Sequence, residues 1–62
     1  MNSREIIHRL EADGWYRVGQ SGSHVLFKHP AKPGRVTVPN PEKDIPAKTL
    51  KSIERQSGVR FR

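Results

Sequence analysis

Sixty-two residues with no cysteine describe a chain too short for more than one domain and without disulfides or a thiolate zinc site to staple it. A domain this small buries only about 60% of the surface its unfolded chain exposes, so its core is thin. The net charge of +6 and the pI near 10.6 favour a polyanionic partner, although a solvated basic surface would give the same sum.

The charge has a location. No Asp or Glu falls between Gly14 and Pro41, where Arg17, Lys28, Lys32 and Arg35 lie, while Glu5, Glu11, Asp13, Glu42, Asp44 and Glu54 occupy the flanks. No run at the N-terminus has the length and apolarity expected of a signal peptide, and none of a membrane span. A single domain over 1–62 in a reducing cytosol is the expectation.

Ser3 reads as an N-cap for a helix over residues 4–13. Ile6, Ile7 and Leu10 share one face of it, Glu5 suits the first turn, and Gly14 is placed to stop it. His8 points about 150° from that apolar stripe, taking 100° per residue, and reads as a surface residue. Residues 15–18 are strand formers, and 19–22 supply a turn.

The next strand runs from Ser23 to about His29. Alternation puts Val25 and Phe27 on the core face with His29 at the strand end, and His24, Leu26 and Lys28 on the other. Two prolines and a glycine make 30–34 a loop. In 35–38, Val36 and Val38 face the core while Arg35 and Thr37 face outwards. A polar connector leads to Pro46, which suits the first turn of a second helix with Leu50 and Ile53 buried and Gly58 as its stop. Phe61 is placed to fold back onto the core.

The order helix, three strands, helix implies an α+β fold. It is a three-stranded antiparallel sheet with both helices on one face and the other face wet. His24, Lys28, Arg35 and Arg17 would decorate or border that open face. A bulge at Gly22 or Ser23 would turn His24 to the other side.

The sequence offers no P-loop, no histidine pair with metal spacing and no acid beside Ser21 or Ser23 for a nucleophilic triad, so no metal or cofactor is expected. One histidine on a cationic surface remains. An imidazole exchanges a proton near neutral pH, so it can activate a ribose 2′-hydroxyl against the adjacent phosphorus while a cation such as Lys28 neutralises the phosphoryl oxygens. DNA lacks that hydroxyl. The residues by themselves carry the reading as far as a basic, open-faced sheet suited to RNA. A non-catalytic RNA-binding module and a basic domain with an acidic protein partner fit them equally.

The chain also resembles the HicA family of bacterial toxin–antitoxin mRNA interferases. The resemblance rests on Asp13-Gly14-Trp15, the Gly22-Ser23-His24 turn, Phe27 with His29-Pro30, and Val36-Thr37-Val38-Pro39. Lys43-Asp44, Thr49-Leu50 and Ser57-Gly58 follow in the same order. It implies a double-stranded-RNA-binding-domain-like α-β-β-β-α fold and a bacterial cytoplasmic endoribonuclease that cuts mRNA without needing the ribosome. It further implies His24 as catalytic residue, a HicB-type antitoxin partner and growth arrest under stress. The RNA-contacting set expected is Lys28, Arg17, Lys32 and Arg35 from the charge pattern, with Gly22 and Ser23 of the turn. Three positions depart from the family's pattern. Val25 stands where a second histidine is common, Ser21 where a basic residue often precedes the turn, and Asn40-Pro41 where a histidine is frequent, so the pattern names no second proton-transfer group.

Overall fold

A computed structural model describes residues 1–61; Arg62 lies outside the described residues. The first helix, α1, spans Ser3–Ala12 and is capped by Asn2 rather than Ser3. The Asn2 side chain accepts from the Glu5 amide at 2.8 Å, and the Glu5 carboxylate accepts from the Asn2 amide at 3.4 Å. Asn-x-x-Glu is the spacing of a reciprocal capping box, so this start was encoded one residue earlier than expected. Ser3 becomes the first helical residue and is buried, with its hydroxyl engaged elsewhere.

Asp13 and Gly14 end α1, with Gly14 at φ +107°. Gly14 also leaves room, since a Cβ there would stand 2.7 Å from His29 Nε2. That nitrogen lies 2.7 Å from the Asp13 carbonyl, while Nδ1 accepts from the Ala31 and Lys32 amides at 2.9 and 3.2 Å. With Nδ1 accepting twice, the proton sits on Nε2 and is donated to Asp13. The ring meets Trp15 edge-on at 5.2 Å, so His29 serves as the partly buried strand-end residue expected of it.

β1 (Tyr16–Ser21) is longer than the 15–18 segment predicted. It pairs antiparallel with β2 (His24–Lys28) through a two-residue turn, Gly22-Ser23. Gly22 has φ +58° and Ser23 does not have positive φ, the pattern of a glycine-first type II′ turn, which matches the natural twist of a hairpin. Gly19 therefore belongs to the strand. It follows Val18, the extra residue of a bulge between Arg17 and Gly19, and a strand-interior glycine is the usual mark of one. Because the irregularity lies in β1, the β2 alternation stays intact.

β3 (Val36–Pro39) pairs antiparallel with β2, giving the sheet order β1-β2-β3. α2 spans Ala47–Ser57 and ends at Gly58, φ +74°. The core joins Ile6, Ile7 and Leu10 of α1 with Trp15, Val25, Phe27, Val36, Val38, Leu50, Ile53 and Phe61. Burial of each such large side chain contributes about 1.5–3 kcal/mol. Ile45 joins them from the connector that read as polar, and its amide donates to the Met1 carbonyl at 2.8 Å.

Candidate functional site

The turn sets the site. Ser21 and Pro39 flank His24 in the register, and the Asn40 amide donates to the Ser23 carbonyl at 2.7 Å, tying the end of β3 to the hairpin. Val25 and Phe27 are fully buried, so the pleat turns His24 to the opposite face, where its side chain is exposed.

That face is less open than alternation suggested. Thr37 and Pro39 share it with His24 yet are half-buried, because α2 packs against β3 and brings its polar flank alongside the sheet. The result is a groove of about 420 Å³ lined by His24, Thr37 and Pro39 from the sheet side and by Glu42, Thr49, Ser52 and Gln56, among others, from the connector and α2. Hydroxyls, an amide and a carboxylate thus share the groove with the imidazole, beside the apolar Pro46 and Ile53. Of these, Glu42, Thr49, Ser52 and Gln56 escaped the sequence reading. The spacing of 49, 52 and 56 on one side of the Leu50/Ile53 stripe was the available signal, but nothing local says what that side would face.

Glu42 is held by its backbone. Its carbonyl accepts from the Ser3 amide at 2.9 Å, its amide donates to Ser3 Oγ at 3.1 Å, and Ser3 Oγ donates to Asn40 Oδ1 at 2.8 Å. A buried serine in the first turn of α1 therefore fixes the segment that closes the groove.

The cations expected around His24 disperse. Lys28 is exposed on the same face as His24, but four strand residues separate them, about 13 Å at 3.3 Å per residue. Lys28 therefore stands at the far end of β2 from His24. Exposed Arg35 immediately precedes Val36, the partner of Phe27, so it belongs to the Lys28 end of the sheet.

Arg17 pairs with Phe27, whose side chain enters the core, and alternation places it on the helix side. There it shares a concavity with Arg4, His8 and Glu11, and it does not border the open face. Lys32 is committed to structure. Its Nζ donates to Asp13 Oδ2 at 2.6 Å and to the Ser57 carbonyl at 3.2 Å, bridging the ends of the two helices. The Lys32 hydrogen bond is the main reason the Asp13 carboxyl is held below its usual range. Gly22 and Ser23 are exposed at the tip, with open space around Gly22.

Among the described residues no cluster of three or more His, Cys, Asp or Glu side chains is assembled that could hold a metal ion. Nor is any described helix long and apolar enough to cross a membrane.

Comparison with known proteins agrees with this geometry. A family model described as the HicA toxin of bacterial toxin–antitoxin systems matches residues 3–59. Among solved structures, a chain of the "HicA3 and HicB3 toxin-antitoxin complex" superimposes with a TM-score of 0.86 at 33% sequence identity, with 100% of both chains covered. Comparison with curated protein sequences returns no match.

Proposed function

The chain belongs to the HicA toxin family of bacterial toxin–antitoxin systems, and from that premise we propose that it is an endoribonuclease acting on mRNA with His24 as its proton-transfer residue. The observation that supports this most directly is the exposed His24 imidazole on the wall of a groove that also holds hydroxyl, amide and carboxylate side chains, in a chain of net charge +6.

In the reaction, neutral His24 takes the proton of a ribose 2′-hydroxyl. The O2′–P bond forms, the P–O5′ bond breaks, and the proton is returned to the departing 5′ oxygen. The products are a 2′,3′-cyclic phosphate and a 5′-hydroxyl. The groove offers one further titratable side chain, Glu42, and on this reading it shares proton transfer with the imidazole. The hydroxyls of Thr37, Thr49 and Ser52 and the Gln56 amide supply hydrogen bonds to the sugar–phosphate backbone. The step balances without a metal ion, so cleavage is expected to persist in EDTA.

A HicB-type antitoxin is the inferred protein partner, supported by the complex in which the structural relative was solved. On this reading it silences the toxin by covering the His24 face, and release of the toxin arrests growth. The bacterial cytoplasm, where mRNA and antitoxin meet, is the matching location.

The test is a His24→Ala variant assayed on mRNA in vitro and for growth arrest in cells. Loss of cleavage and toxicity, with folding and most RNA affinity kept, is the expected result. Cleavage at the wild-type rate would remove His24 from the chemistry. A wild-type protein that binds RNA and never cuts it would leave a non-catalytic RNA-binding module.

A further inference from the structure

We propose that the exposed face of α2 formed by Lys48, Lys51 and Arg55 is the rail along which the phosphates of bound RNA are held. This inference rests on the RNA reading above and moves the main binding surface from the sheet to the helix.

Three observations carry it. The first is position. Lys48, Lys51 and Arg55 are all exposed and recur at i, i+3 and i+7, within a 60° arc of the helix at 100° per residue. They abut the groove wall, because Ser52, which lines the groove, is the i+4 neighbour of Lys48 and lies three residues before Arg55. A strand of RNA seated beside His24 therefore passes along this stripe.

The second is the absence of neutralisation. The ion pairs among the described residues involve Asp44 with the N-terminus and Asp13 with Lys32 and His29, and none of them reaches the stripe. Glu54, the one acid of α2, accepts from the Phe61 amide at 2.9 Å, so its carboxylate is drawn toward the returning tail. Like charges at i, i+3 and i, i+4 oppose helix formation, and Lys48 stands in a first turn without acids, against the helix dipole. Helix α1 also carries a cation, Arg4, in its first turn, but there Glu5 and the Asn2 cap offset it. A bound polyanion relieves the opposition on α2.

The third is elimination. Of the cations expected to hold RNA, Lys32 is bound to Asp13, Arg17 lies on the helix side, and Lys28 and Arg35 sit about 13 Å along the sheet from His24. The stripe on α2 is a cationic surface contiguous with the groove through Ser52. Its flank continues into a concavity where Lys51, Arg55 and Arg60 outnumber the one acid, Glu54.

The experiment measures binding of a fluorescein-labelled single-stranded RNA across a salt series, with His24→Ala as the non-cleaving background. Replacing Lys48, Lys51 and Arg55 together by glutamine keeps helix propensity. It is expected to weaken binding at least about tenfold at physiological salt and to reduce the slope of log K against log salt by about 2, at about 0.7 per lost phosphate contact. The three single variants, each expected to remove about a third of that slope change, guard against a folding artefact in the triple. A matched triple at Arg17, Lys28 and Arg35 is expected to change the slope less.

Wild-type affinity and slope in the α2 triple would overturn the proposal. So would unchanged RNA binding with lost antitoxin binding, which would make the stripe a protein-docking surface. Continued cleavage by His24→Ala would instead sink the catalytic assignment and leave the binding result standing.

Discussion

Ser3 Oγ donates a 2.8 Å hydrogen bond to Asn40 Oδ1, joining the first turn of α1 to a residue 37 positions away beside the hairpin. The same oxygen accepts from the Glu42 amide, so one buried hydroxyl satisfies two groups of the segment that closes the His24 groove. Ser3→Ala leaves both without that partner. The expected loss is about 1–3 kcal/mol in denaturant unfolding, accompanied by slower RNA cleavage as Glu42 loses its anchor. Unchanged stability would show that water replaces the hydroxyl.

Glu42 is the second titratable side chain on the groove wall. Glu42→Gln keeps its size and removes the charge. Cleavage is expected to fall about 10²-fold, the lower end of a general acid–base contribution, and one limb of the pH–rate profile is expected to disappear. A profile of unchanged shape would exclude Glu42 from proton transfer.

Lys28 and His24 occupy opposite ends of β2, and kinetics should separate their roles. Lys28→Ala is expected to raise KM and leave kcat near wild type, whereas His24→Ala removes kcat. A kcat loss in the lysine variant as large as that of the histidine variant would place Lys28 in the chemical step with His24.

The link from Lys32 to Asp13 predicts an acid response. Because Lys32 holds the Asp13 carboxyl below its ordinary value, folding gains from the pair once the unfolded-state carboxyl is ionised, above about pH 4. That contribution is lost as pH falls through the lowered folded-state value. Thermal melts of wild type and Asp13→Asn should therefore differ near neutrality and converge in acid. A constant difference across that range would show that the variant acts by another route.

Gly14 combines a positive φ with a close neighbour, His29 Nε2. Gly14→Ala is expected to cost about 1–3 kcal/mol through backbone strain, with added loss from displacement of the imidazole. Equilibrium unfolding measures it, and a neutral result would show that neither the positive φ nor the His29 ring opposes a Cβ there.

Much of the fold was legible because its signals are local. The apolar positions of α1, the Val25/Phe27 alternation, the paired valines of β3 and the stops at Gly14 and Gly58 each depend on residues a few positions apart. Two of the misreadings also have local causes. Asn2 competed with Ser3 as a cap, and Gly19 looked like a turn when a bulge at Val18 kept it in the strand. Ile45 looked isolated in a polar connector because its neighbours in the core come from elsewhere in the chain.

The sequence by itself determined the order of elements, most of the core, and the side of β2 on which His24 emerges, since a pleat of period two fixes direction wherever one face is buried. Only the tertiary structure decided what His24 meets. Seating α2 against β3 brings Thr49, Ser52 and Gln56 beside a histidine at least 25 residues away, while Lys32 is spent on Asp13 and Arg17 is turned to the other side. Charge composition records how many cations a chain carries. Their partners are set by packing between distant segments, which no local pattern encodes.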